Sequence, residues 1–160
     1  MAGKETRKAE PWPSVDSHVT ILMIEDDEGH ARLIEKNIRR AGISNTIHHF
    51  LDGTSALKFL SEHPKGPVNN GPALVLLDLN LPDMSGTDIL SRIKGDERLK
   101  RTPVVVLTTT DDKAEIQRCY DLGCNVYITK PVNYENFATA IRQLGLFLSV
   151  IQVPEVKAVG

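Results

Sequence analysis

Apolar runs of five or six residues alternate along this chain with stretches of helical periodicity, and that alternation limits the fold more than any other feature. Val19-Thr20-Ile21-Leu22-Met23-Ile24, Ala73-Leu74-Val75-Leu76-Leu77 and Pro103-Val104-Val105-Val106-Leu107-Thr108 are apolar almost throughout. Strands covered on both faces read this way, whereas a half-exposed strand alternates. Thr46–Phe50 reads as a weaker second strand near an edge, and Asn125–Thr129 as the fifth strand. Between them the spacing predicts helices over Glu28–Arg40, with Leu33, Ile34, Ile38 and Ala41 on one face, and over Thr54–Ser61. Further helices are predicted from Gly86, with Ile89, Leu90 and Ile93 inward, and over Lys113–Leu122. Asn133 opens a last helix carrying the stripe Tyr134, Phe137, Ala138, Ile141, Leu144 and Leu148. Strand and helix in strict alternation imply an α/β fold: a doubly wound parallel sheet of five strands with five helices.

Such sheets bind ligands at the carboxyl ends of their strands, where the strand order reverses. Chemistry is therefore expected at those ends. Glu25-Asp26-Asp27 follow the first strand, Asp78 follows the third, Thr108 ends the fourth and Lys130 follows the fifth. Carboxylates gathered on one rim repel one another unless a cation or protonation relieves them. Magnesium suits such a set, because it takes few protein oxygens and accepts a phosphate oxygen as well. Asp27 either joins the acidic set or caps the helix that begins at Glu28. Asp78 can attack phosphorus to give an aspartyl phosphate. Lys130 supplies a charge that pairs with the carboxylate at rest and with phosphate oxygen afterwards. The Thr108 hydroxyl can donate to a phosphate oxygen.

Glu25-Asp26, Asp78, Thr108 and Lys130-Pro131, with the loop Asp78-Leu79-Asn80-Leu81-Pro82-Asp83-Met84-Ser85-Gly86, resemble the receiver domain of two-component response regulators from about Val19 to Leu144. The resemblance implies the flavodoxin-like strand order 2-1-3-4-5. It also makes Asp78 the phosphoacceptor, with a histidine kinase as donor. Glu25, Asp26, Asp78 and the Asn80 backbone carbonyl then hold magnesium, while Thr108 and Tyr127 form a switch pair. One departure stands beside the switch: Thr109 is bulkier than the small residue usual there. Within the family the chain is most similar to phytochrome-associated stand-alone regulators, which implies a phytochrome-type kinase.

Outside 19–144, residues 1–18 read as a flexible polar extension and 145–160 as a C-terminal extension. Leu146, Phe147, Val150, Ile151 and Val153 cannot all face one core, so the extension is expected to serve as a dimerisation arm. It would act either as a helix extension or as an added strand. With little chain after the last helix, the readout is expected to be protein binding.

Composition excludes several other roles. A formal net charge of −2 offers no basic surface for nucleic acid, and no apolar run approaches the roughly 20 residues of a membrane span. The charged opening residues do not form a secretory signal, so a cytoplasmic location is expected. Cys119 and Cys124 match no zinc spacing and read as free thiols. His48 and His49 point to opposite sides of a strand and cannot ligate one ion together. Lys94–Arg101 reads as a solvated connection. Two rival functions remain: an aspartyl-intermediate phosphatase, disfavoured by Asn80 where a general acid belongs, and a pseudo-receiver that only binds partners.

Overall fold

The structure, a computed structural model, describes residues 19–63 and 73–130 together with Glu135 and Thr139. Five strands and four helices alternate within this span. They are β1 (Thr20–Ile24), α1 (Glu28–Arg40), β2 (Ile47–Phe50), α2 (Gly53–Glu62), β3 (Ala73–Leu77), α3 (Gly86–Gly95), β4 (Val104–Thr108), α4 (Lys113–Leu122) and β5 (Val126–Thr129). All pairings are parallel and the order is β2-β1-β3-β4-β5, as the family resemblance implies. The fifth helix and the extensions 1–18 and 145–160 lie outside the described residues.

β1, β3 and β4 are buried at every position. Because side chains alternate across a sheet, the three strands feed two cores. Ile21, Met23, Leu74, Leu76, Val105 and Leu107 meet Ala31, Ile34 and Ile38 of α1 on one side. Leu22, Ile24, Val75, Leu77, Val104 and Val106 meet Ala56, Leu60, Ile89, Leu90 and Ile93 of α2 and α3 on the other. β2 and β5 are only partly buried, as sheet edges are.

Two expectations need correction. Leu33 does not face the core but is 53% exposed. The buried stripe of α1 runs through Ala31, Ile34, Asn37 and Ile38, and Leu33 stands about 100° round the helix from Ile34, on its flank. Nor is Lys94–Arg101 a purely solvated connection. Leu99 is buried, and the half-buried Lys94 Nζ donates to the Lys100 and Thr102 carbonyls at 3.2 and 2.6 Å. Burial pushes the Lys94 ammonium below its ordinary pKa. The lysine stem also lies over Gly123, whose φ of 109° ends α4 in a left-handed turn.

Candidate functional site

Each site residue owes its place to a strand that stops. β1 ends at Ile24, and Glu25, 1% exposed, continues its line, while exposed Asp26 turns outward. Asp27 takes the N-cap of α1, its Oδ1 accepting from the His30 amide at 2.9 Å. That settles its role between the two open to it. The capping bonds hold its carboxyl below the ordinary range.

Asp78 follows β3 and is 6% exposed; its amide donates to the Ile24 carbonyl at 3.0 Å, which ties the two acidic strand ends together. One carboxylate oxygen from each of Glu25, Asp26 and Asp78 lies within 4.8 Å of the others. Lys130, after β5, reaches back across the rim. Its Nζ lies 2.5 Å from Glu25 Oε1, 3.3 Å from Asp78 Oδ2 and 3.2 Å from His30 Nδ1. Burial raises the Glu25 carboxyl above its ordinary pKa, and the Lys130 hydrogen bond opposes that rise. Three carboxylates against one ammonium leave the cluster short of positive charge. The missing charge, the all-oxygen donors and their separations fit a hard dication such as magnesium.

Thr108 is fully buried at the end of β4, its Oγ1 3.4 Å from Asn80 Nδ2. The Asn80 amide donates to Asp78 Oδ1 at 3.1 Å. Tyr127 is half-buried against the α2–α3 core, and its hydroxyl donates to the Thr110 carbonyl at 2.7 Å. Burial pushes that phenol up to about 12. Thr109, beside Thr108, is exposed. An open cleft of 590 Å³ lined by Asp26 and the loop Leu79–Ser85 leads to the acids.

The remaining sequence candidates sit elsewhere. His48 packs tilted against Phe59, with ring centres 5.3 Å apart, while His49 Nε2 lies 2.7 Å from the Glu25 carbonyl oxygen, so the two do face opposite sides. Cys119 and Cys124 are buried free thiols; burial raises both, Cys124 to about 12.

Sequence reasoning missed the site roles of three residues. His30 stands at the third position of α1, which sets it over the rim, and the first turn after an acidic strand end was the available signal. His49 anchors the Glu25 backbone from the neighbouring strand. Asp83, on the loop after Asp78, accepts from the Gly53 and Thr54 amides at 2.9 and 2.8 Å and from the Thr54 hydroxyl. It thereby joins Asp52, the N-cap of α2, in satisfying that helix's first amides, from 30 residues away, and ties the loop that carries Asn80 to α2.

Those bonds, the Thr54 hydroxyl first, lower the Asp83 carboxyl from 3.8 to about 2. A depressed acid contributes stability above its unfolded pKa and loses it as pH falls through the folded one. The gap in melting temperature between the wild type and Asp83→Asn should therefore be full above pH 3.8 and close as pH falls towards 2. A gap unchanged across that window would contradict the cap.

Residues 21–142 match the response regulator receiver domain family. A crystal structure of a response regulator receiver domain from Rhodospirillum rubrum is 67% identical, with a TM-score of 0.66 over 82% of this chain and 94% of that one. Response regulator Rcp1 from Synechocystis is 33% identical over 84% of this chain and 92% of its own. Its Mn²⁺-bound crystal form superposes with a TM-score of 0.64 at 35% identity, covering 78% and 90% of the two chains. The phosphorylated cyanobacterial phytochrome response regulator RcpA is 34% identical, with a TM-score of 0.66 over 81% and 92%. No helix among the described residues is long and apolar enough to cross a membrane. A family match over most of the chain, a sheet wound in the family's order and an acidic rim fitted to Mg²⁺ lead to one conclusion: the chain belongs to the response regulator receiver domains of two-component signalling.

Proposed function

We propose that this chain accepts a phosphoryl group on Asp78 from a histidine kinase, in a magnesium-dependent step, and signals by a conformational switch. The observation that carries the reading is the meeting of Glu25, Asp26 and Asp78 within 4.8 Å beneath an ammonium that touches two of them. In the transfer an Asp78 carboxylate oxygen forms the new bond to phosphorus. The phosphorus–nitrogen bond of the donor phosphohistidine breaks, and its electron pair stays on the imidazole, which then takes a proton. Glu25, Asp26, Asp78 and the Asn80 carbonyl are the residues that would hold magnesium, which supplies charge neutralisation for the incoming group.

The resting contacts set the course of the switch. Lys130 exchanges its 3.3 Å contact with Asp78 for a phosphoryl oxygen, a stronger charge-assisted partner. Thr108 turns its hydroxyl towards the same group. Thr110, which holds the Tyr127 hydroxyl, lies two residues beyond Thr108, so movement of the β4 end is felt at Tyr127. The face formed by α4 and β5 is thereby biased between two arrangements. Similarity to Rcp1 and RcpA supports a phytochrome-type kinase as the donor.

The competing reading is a pseudo-receiver that binds partners without the chemistry. Beryllofluoride, a phosphoryl mimic, separates the two. With magnesium it should bind and shift the amide resonances of Thr108 and Tyr127, and chelation of the metal should reverse both effects. Failure to bind in saturating magnesium would favour the pseudo-receiver.

A further inference from the structure

Lys130 has three N–H donors and no acceptor, and three acceptors meet it. Two are the carboxylates of Glu25 and Asp78. The third is the Nδ1 of His30, at 3.2 Å. An ammonium carries no lone pair, so this approach is a hydrogen bond only with Nδ1 bare and the ring proton on Nε2. His30 Nδ1 is 4.0 Å from Glu25 Oε2, too far for a hydrogen bond, which leaves Lys130 as its partner in the site. The histidine is well placed for this contact. Its own amide is fixed by Asp27, and its ring, 47% exposed, stands at the mouth of the site over a lysine side chain that is 7% exposed.

We infer that His30 is a positioning residue for Lys130, holding the ammonium between Glu25 and Asp78 so that Asp78 faces an anionic phosphodonor with its charge partly offset. This rests on the reading of Asp78 as phosphoacceptor. Of the three contacts, that to Glu25 is shortest, at 2.5 Å, and that to Asp78 longest, at 3.3 Å. With His30 absent, the Glu25 contact dominates and the ammonium is free to turn about it. The Asp78 contact is then the first to be lost, and Asp78 meets the donor with its charge offset by the metal alone. With His30 present, one N–H is directed away from Glu25 and the tetrahedral ammonium keeps another aimed at Asp78. After transfer that donor turns to a phosphoryl oxygen, while Glu25 and His30 keep the other two.

The test compares the full chain with His30→Ala and His30→Asn, since an asparagine Oδ1 falls close to the position of Nδ1. Three quantities are read: the initial rate of phosphoryl uptake from acetyl phosphate in saturating magnesium, magnesium affinity, and the ¹⁵N-edited resonance of the Lys130 ammonium. Alanine should slow uptake about three- to tenfold, the worth of one hydrogen bond, with magnesium affinity unchanged. Asparagine should restore most of the rate. The ammonium signal should be sharp in the wild type and His30→Asn, and broadened by exchange with water in His30→Ala. Equal rates in wild type and alanine variant would overturn the inference, as would a loss that asparagine does not restore. A wild type that took up no phosphoryl group would instead sink the reading of Asp78, and the ammonium resonance would still decide whether His30 holds Lys130.

Discussion

Asp78→Asn is expected to abolish phosphoryl uptake while making the metal-free protein more stable. The amide is isosteric but is no nucleophile towards phosphorus at neutral pH, and the neighbouring acids have other roles: Glu25 is bound at 2.5 Å by Lys130, Asp27 is committed to its helix cap, and Asp26 of the same cluster is assigned to the metal. The second effect comes from charge. Asp78 lies within 4.8 Å of two other carboxylate oxygens and keeps one contact with an ammonium, at 3.3 Å. Neutralising it removes two repulsions at the expense of one attraction, in a site where 6% of the residue is exposed and screening is weak. The melting temperature should rise, by the equivalent of about 1 kcal/mol at an effective dielectric between those of water and protein interior. Magnesium should bind roughly tenfold more weakly or worse, since a ligand is worth at least as much as its supporting partners. Mass spectrometry of the protein after incubation with acetyl phosphate reads the first effect, and thermal melts with and without magnesium read the other two. Uptake that survives the substitution would move the acceptor elsewhere.

Gly86→Ala is expected to damage fold and site together. A Cβ built on Gly86 would stand 2.5 Å from the Asp78 carbonyl oxygen and 2.5 Å from Leu79 Cα. Both are backbone atoms, so no rotamer change can relieve the contact. Gly86 is also buried, and its amide donates to the Leu79 carbonyl at 2.9 Å, which closes the loop from β3 into α3. The loop must move away, and it begins at Asp78, the proposed phosphoacceptor. Overpacking of this kind costs about 1–3 kcal/mol, and the upper end applies where backbone has to shift. Denaturant unfolding should report that loss, and phosphoryl uptake by the fraction still folded should also fall. An alanine variant with wild-type stability would mean that the loop has slack this geometry does not show.

Much of this could be read from the sequence because the decisive signals are local. Apolar runs without alternation marked β1, β3 and β4, and their boundaries fell within a residue or two of the observed ends. The chemistry sits where strands stop, so Glu25, Asp26, Asp78 and Lys130 could be assigned to one rim from the alternation alone. The strand order could not; it came from the family resemblance. Features that depend on long-range partners stayed hidden. His30 meets Lys130 across 100 residues, and Asp83 reaches Thr54 across 29. Neither pairing leaves a mark in local spacing. Lys94 escapes a sequence reading for a related reason. A charged run looks solvated until the carbonyls of Lys100 and Thr102 are seen folding back over its ammonium. Leu33 differs: a helix stripe leaves room for an apolar residue on its flank, and hydrophobicity alone cannot say which leucine is inside.

The proposed chemistry depends on three carboxylates and one ammonium meeting on one rim, as Glu25, Asp26, Asp78 and Lys130 do. Its most direct test is to incubate the protein with acetyl phosphate, with magnesium and with chelator, and to locate the modified residue by reductive trapping of the acyl phosphate. A single modification on Asp78, formed with magnesium and missing without it, is the predicted result. Modification at another residue, or none in saturating magnesium, would contradict it.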